Sequence, residues 1–485
     1  MQLRRKDVKK KLAVTNQVKA SSVYTICNII QRGLALFTIP FFARIMPQEE
    51  MGVSTVYSSV MYLVIIFTSL QLPYGSFNKA MVKFEDDRDG YVSSCNCIFT
   101  VLTVGYFLIY FCFRERINNL VNLPTSLMIL MGFEMLFSSA YSCWLGINRF
   151  EFKYKKIAFV TLAQAVLVCV VSVIAVWCAE ESKGEVRVLA SGYITVVFGL
   201  VIYIESMLKG RTFFSKEYWK YAFSFNLPLL AYYFSQMIFN QSDRLMIDKM
   251  CGRADAAKYG MAYTLGMLLT IVLNAMNNAY VPWFYKKIGE NDYEANRAVT
   301  FGFSVLFAFL LLGVIAVGPE IILVMGGEGY MSAIWVIPPV AFSLLFLFFS
   351  QIFINVEFYY EEKNLLVLGS IFSAVINVVL NYYYINRFGY IASAYTTLVS
   401  YILFAVCNYF CMLYTCKKRG KNSNVIDLKR IIGLSVVFSI CMSVLMVLYE
   451  HVVLRYSLIG FVLVVMFIFR KRIIKTIEQY MALYR

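Results

Sequence analysis

The sequence predicts an all-α integral membrane protein of about 14 transmembrane helices. Twelve of them form two parallel six-helix repeats, and two more follow at the C-terminus. Three observations predict this: the composition, the alternation of basic residues between apolar runs, and an internal repeat. Of the 485 residues, 60% are hydrophobic and 15% are charged, and the mean hydropathy is +0.65. Soluble domains are about half apolar and a quarter charged, so a bilayer is the solvent that suits this chain. The net charge of +16 would suggest nucleic acid in a soluble protein. Here the basic residues cluster in short segments between apolar runs, which points to membrane topology and excludes a nucleic-acid partner.

Apolar runs long enough to cross the bilayer as helices fall at 21–43, 54–72, 93–112, 124–147, 157–178, 187–207, 222–243, 259–284, 299–318, 331–356, 365–384, 389–415, 431–449 and 454–469. The stretch after "MQLRRKDVKKKL" is too long for a cleaved signal core, so it reads as the first span. Connections reach at most about 20 residues, too short for a soluble domain. When the termini and the even-numbered connections are assigned to one side, they hold 33 of the 45 Lys and Arg, and the odd-numbered connections, counted with Arg187 and Arg455 at the first residues of the spans they enter, hold 11. The positive-inside rule then puts both termini in the cytoplasm. Arg32 is the remaining basic residue, and it sits inside a span.

Self-similarity divides the chain further. "ASGYITVVFGLV" (190–201) returns as "ASAYTTLVSYIL" (392–403), and "LPYGSFNK" (72–79) returns as "VPWFYKK" (281–287). "NRFEFKYKK" (148–156) aligns with "VEFYYEEK" (356–363), and "MGVSTVYSS" (51–59) with "YGMAYTLGM" (259–267). Four matches in one order at nearly one offset define two copies. The expected organisation is a basic cytoplasmic N-terminus at 1–20, an N-terminal lobe at 21–212, a C-terminal lobe at 213–416, and two helices with a basic cytoplasmic tail at 417–485. Six spans per copy keep both copies in one orientation, a common transporter build.

Two stretches carry a family resemblance. "PFFARIMPQEEMGVSTVYSSVMYL" (40–63) and "LPLLAYYFSQMIFNQSDRLMIDKMCGRADAAKYGMAYTLGMLL" (227–269) resemble motifs of Wzx-type O-antigen and polysaccharide flippases, of the multidrug/oligosaccharidyl-lipid/polysaccharide exporter superfamily. The resemblance implies a V-shaped two-lobe transporter with a cationic central cavity lined by spans 1, 2, 7 and 8. It also implies alternating access, and a polyprenyl-diphosphate-linked oligosaccharide as cargo.

Polar stripes give candidate contact residues. Ser21, Thr25, Asn28 and Arg32 share one face of span 1. Asn226, Tyr233, Gln236, Asn240 and then Asp243 or Arg244 share one face of span 7. Asn274, Asn277 and Asn278 cluster in span 8, and Ser370, Ser373, Asn377 and Asn381 line span 11. Such stripes face protein or a water-filled cavity, so each is either helix–helix glue or a cavity wall. Amide and phenol groups suit sugar hydroxyls, which makes Arg32, Asn28, Thr25, Asn240, Gln236, Asn274 and Asn278 the expected substrate contacts. Arg32 lies roughly 15–17 Å from either end of its span at 1.5 Å per residue, beyond the reach of snorkelling. A central Arg costs about 3 kcal/mol on insertion scales, so it needs a partner. The candidates are an anionic cargo, for which a guanidinium fork is the best single donor, and Glu134 in span 4. Glu134, Asp243 and Arg244 are the expected coupling or gating groups. Arg244 and Asp248 have the spacing of an intrahelical ion pair.

The expected function is a flippase that moves a polyprenyl-diphosphate-linked oligosaccharide from the inner to the outer leaflet of the bacterial cytoplasmic membrane. The product would be O-antigen, capsule or exopolysaccharide. Membrane lipids, and the polymerase and glycosyltransferases of the same pathway, are the expected partners. Alternatives are a cation-coupled multidrug exporter of the same superfamily and a membrane-embedded glycan polymerase or ligase. The exporter would want buried carboxylates where span 1 offers Arg32, and the polymerase a large outer loop that the connections do not allow. No enzyme activity, cofactor or metal is expected: there is no G-x-x-x-x-G-K-[ST] motif, and the Cys95–Cys97 pair has no histidine near it. The 12 cysteines read as small buried thiols where they fall within spans, and His451, the one histidine, has no assigned role.

Overall fold

The computed structural model describes residues 23, 26, 27, 29–31, 33, 34, 36–360 and 364–471. Among the described residues there is no strand. The helices are α1 (described residues 23–45, all helical as far as 45), α2 (Gln48–Ser69), α3 (Phe77–Lys83), α4 (Arg88–Cys112), α5 (Arg114–Val121), α6 (Thr125–Phe150), α7 (Tyr154–Cys178), α8 (Lys183–Gly210) and α9 (Lys216–Asn226). They continue as α10 (Leu230–Met250), α11 (Arg253–Gly289), α12 (Tyr293–Ala316), α13 (Gly318–Gly326), α14 (Ile337–Tyr359), α15 (Asn364–Phe388), α16 (Ile391–Lys418), α17 (Leu428–Val447) and α18 (Val452–Ile468). Each expected span has its helix. Ten segments among the described residues are long and apolar enough to cross a membrane, and the protein is a multi-pass membrane protein. The helices α3, α5, α9 and α13 are short additions between spans. α10 starts at Leu230, eight residues later than its apolar run suggests, because Pro228 interrupts the chain in a 3₁₀ turn, Leu227–Leu229.

The chain forms two compact units, Met1–Asp248 and Lys249–Arg485. In the first, α6 packs most extensively on α8, and α7 on α8, α4 on α6, and α2 on α4 and α6 follow. In the second, the same scheme recurs: α14 on α16, α15 on α16, α12 on α14, and α11 on α12 and α14. This is the internal repeat in three dimensions. Small residues let the central pairs approach, since packing between helices in lipid depends on close contact. Gly192 and its repeat counterpart Ala394 are both buried. A methyl on Gly199 would come 2.8 Å from the carbonyl oxygen of Phe137.

Two apolar clusters fix the first unit. Val53, Val56, Tyr57, Val60, Leu127, Met131 and Val188 join α2, α6 and α8. Phe77, Met81, Tyr91, Phe99 and Ala222 join α3, α4 and α9. In the second unit the additional helix α17 packs on α12 and α14, with Phe438 stacked on Phe342 at 4.8 Å. Arg455 of α18 is buried and donates through Nη2 to Glu320 Oε1.

Candidate substrate-contact and coupling residues

Glu134 projects from α6 toward α2. The α2–α6 cluster holds the two helices in register, and Tyr57 Oη donates to Glu134 Oε2 at 2.7 Å. Glu134 is half-buried, and its carboxyl accepts a hydrogen bond from a phenol. Arg32, Asn28 and Thr25, the expected contacts on α1, lie outside the described residues, and so does the expected Arg32–Glu134 pair. On the described part of α1, Gln31 Nε2 donates to the Thr161 carbonyl of α7 at 3.1 Å.

The α10 candidates sit in the first unit. Asp243 is 1% exposed and Arg244 6%, so both are deeper than the sequence implied. Arg244 Nη1 donates to Gln241 Oε1 at 2.6 Å and to the Asn240 carbonyl at 3.1 Å. Gln241 Oε1 also accepts from Ser59 Oγ of α2 at 3.2 Å. Nearby, Phe67 of α2 packs on Phe234 at 5.1 Å. Asn240 Nδ2 donates to the Gln236 carbonyl at 2.7 Å, and both side chains remain partly accessible. The Ser59 hydroxyl and the Gln241 side chain thus join α2 to α10, with Arg244 held on Gln241 and Asp243 buried beside it. Such a network offers guanidinium and amide donors to anions and hydroxyl groups. Sequence reasoning missed Tyr57, Ser59 and Gln241. The signal available was a polar residue in each apolar run, and it does not distinguish these three from ordinary interhelical polar residues.

In the second unit, Asn274 and Asn278 of α11 are exposed, while Asn277 Oδ1 accepts from Asn355 of α14 at 2.9 Å. The α15 stripe serves as interhelical glue. Asn377 Nδ2 donates to Thr397 Oγ1 at 3.4 Å and Asn381 Nδ2 to Asn377 Oδ1 at 3.2 Å, and Thr396 Oγ1 donates to Asn381 Oδ1. Asn226 behaves alike, donating to Ser76 Oγ at 2.7 Å. Among the described residues no group of three or more His, Cys, Asp or Glu side chains could hold a metal ion.

A family profile described as "Polysaccharide biosynthesis protein" matches residues 18–287. The "Lsg locus putative protein 1" of Haemophilus influenzae is 23% identical over 376 residues, covering 74% of this chain and 89% of that protein. An "Uncharacterized membrane protein" of the same organism is 19% identical over 280 residues, covering 57% of this chain and 67% of its own length. Among solved structures, "Lipid II flippase MurJ, inward closed conformation" superposes with a TM-score of 0.65 at 13% identity, over 93% of this chain and 99% of its own. A multidrug resistance MATE family transporter of the MOP superfamily, in an inward-facing conformation, superposes with a TM-score of 0.61 at 13% identity, over 83% of this chain and 99% of its own. At such identities the likeness concerns the fold, which is that of the MurJ and MATE transporters.

Proposed function

The chain belongs to the polysaccharide biosynthesis protein family, and from that premise we propose that it is a flippase for a polyprenyl-diphosphate-linked oligosaccharide. The family match carries the reading, and a fold shared with a lipid flippase supports it. The protein works in the bacterial cytoplasmic membrane with both termini in the cytoplasm. It is a transporter and not an enzyme. Cargo is loaded from the inner leaflet, and alternating access of the two repeats delivers it to the outer leaflet for O-antigen, capsule or exopolysaccharide assembly. The polymerase and glycosyltransferases of that pathway supply and consume the cargo. Arg32 receives the diphosphate, with Asn28 and Thr25 on the same helix face. A phosphate that crosses a bilayer loses its water, and a preorganised guanidinium replaces part of that hydration. Gln236, Asn240, Asn274 and Asn278 contact sugar hydroxyls. Glu134, Asp243 and Arg244 act in coupling or gating.

Restoration of surface glycan in a strain lacking the gene tests the reading at equal protein level. Arg32→Ala should lose most activity, Arg32→Lys should keep part, and Arg32→Glu should do no better than Ala. Full restoration by Arg32→Ala would remove the diphosphate contact. Recovery of Arg32→Ala by adding Glu134→Gln would favour a structural ion pair. The rival drug-exporter reading draws on the MATE likeness. It requires that deletion change drug sensitivity and leave surface glycan intact.

A further inference from the structure

Where α1, α6 and α7 meet, the first unit has a cleft that the proposed cargo contacts do not use. Its walls include Tyr141, Leu145 and Arg149 of α6, Ile157 and Thr161 of α7, and Gln31 of α1. The spacing of four along α6 and along α7 puts each set on one helix face. At 1.5 Å per residue the α6 wall runs about 12 Å, from Tyr141 to Arg149, and Arg149 is one residue short of the helix end at Phe150. The free volume is about 60 Å³. A water needs roughly 10–15 Å³ on that scale, so the cleft holds a group of a few heavy atoms and not a whole lipid.

Among the described lining residues Arg149 is the only charged one. Tyr141 lies within electrostatic reach of it, and the Tyr141 hydroxyl makes no hydrogen bond among the described residues. Gln31 Nε2 donates one hydrogen to the Thr161 carbonyl at 3.1 Å and carries a second. The donors are thus a guanidinium, a phenol and an amide, and no carboxylate lines the described walls. Such a cleft suits an anion that accepts hydrogen bonds. The acids close by in the chain or in space are engaged elsewhere. Glu151 pairs with Lys153 at 2.5 Å, and Glu205 with Lys156 at 2.7 Å and Lys209 at 2.6 Å.

The surroundings of the cleft are those of a lipid contact. α7 is the least buried of the ten membrane-length segments, and Ile26, Ile29 and Ile30 of α1, close to Gln31, are exposed. Arg149, at the end of its span, stands at the depth of lipid headgroups. We propose that the cleft binds the phosphate head of an anionic glycerophospholipid. Arg149 holds the phosphate, Leu145 and Ile157 meet the first carbons of the lipid, and its tails stay in the bilayer. On the topology proposed above this is a lipid of the inner leaflet. A head seated there touches α1, α6 and α7 at once, so it ties α1 to the other two helices.

Thermal unfolding of the purified full-length protein in detergent provides the test. The probes are phosphatidylglycerol, phosphatidylcholine with the same chains, and inorganic phosphate. The wild type should show a saturable rise in Tm with phosphatidylglycerol and a much weaker one with the other two. Arg149→Gln should raise the half-saturating lipid concentration about fivefold, the usual effect of one interfacial cation on anionic-lipid binding. Leu145→Trp, which fills the cleft and leaves the charge, should weaken binding by a similar factor. Lys216→Gln, at an exposed cation of α9, should leave it unchanged. An equal rise with phosphatidylcholine, or with inorganic phosphate alone, overturns the anionic-lipid site. So does a loss in Lys216→Gln equal to that in Arg149→Gln, which marks general surface charge. Unchanged binding in Arg149→Gln, or in a folded Leu145→Trp, overturns it too. If Leu145→Trp does not fold, Leu145→Phe takes its place. The measurement contains no cargo and no transport, so its failure is separable from failure of the flippase reading.

Discussion

The Tyr57 hydroxyl donates a hydrogen bond to the Glu134 carboxyl across the α2–α6 contact. Tyr57→Phe removes only the donor and leaves the apolar packing. It should lower unfolding stability by about 1–3 kcal/mol, the cost of an unmet buried acceptor, read by thermal unfolding of the purified protein. Glu134→Gln in the Tyr57→Phe background should recover part of that loss. A second residue-scale test is Arg455, 1% exposed, which shares Glu320 Oε1 with the Tyr456 hydroxyl. Arg455→Met should destabilise the protein, by less than the loss of a fully buried pair because Glu320 is 34% exposed, and Arg455→Met with Glu320→Leu should recover part of that loss. Stability of the two variants in one detergent checks this. Glu134 was legible as the acid in an apolar run. Tyr57 was not, because a tyrosine in a membrane span reads equally well as packing.

At the scale of elements, the helices were legible and their joints were not. Hydropathy locates an apolar run but is silent where short amphipathic pieces adjoin it, which is why α9 and the late start of α10 were missed. α9 is held by Tyr218 Oη donating to Asp87 Oδ2 at 2.8 Å and by Trp219 Nε1 donating to Ser94 Oγ at 3.1 Å. Burial, then the Asp87 carboxylate, pushes the Tyr218 phenol up to about 12 from its ordinary 10.0. The neutral phenol is therefore the favoured form. Its contribution should be complete below about pH 10 and lost between there and about pH 12, and Tyr218→Phe should remove that step from a pH-stability profile. Gly75 approaches this joint so closely that a methyl would collide with the Asn226 side-chain oxygen. Gly75→Ala should destabilise the packing of the α2–α3 turn on the end of α9, seen as faster proteolysis after Arg211. At the α11–α12 corner, Asp292 caps α12 by accepting from the Ala295 backbone N–H at 3.2 Å. Asp292→Ala should cost about 1 kcal/mol.

For the whole molecule, the repeat was the most legible feature. Offsets in sequence became the same set of helix pairs in both units, with Gly192 and Ala394 both buried. The polar stripes were less legible. Sequence periodicity finds a polar face, but whether that face meets another helix or a cavity depends on neighbours, and the α15 stripe met α16. Topology is testable as a whole. Labels at Lys155 and Lys418 should be reached from the cytoplasm and labels at Glu181 and Glu328 from outside, by cysteine-accessibility in intact cells. A reversed result at any of the four would break the fourteen-helix count.

The join between the compact units, at Asp248–Lys249, comes one span later than the start of the second sequence copy. α10 is the first span of that copy, yet Ser59 and Phe67 of α2 contact it within the first unit. The protein is thus not two detachable halves of a duplicated gene. Fragments co-expressed from a break at Cys251–Gly252 should reassemble and restore glycan. Fragments broken at Thr212–Phe213 should do so poorly, because the first would carry an α2 surface made for a helix that it no longer owns.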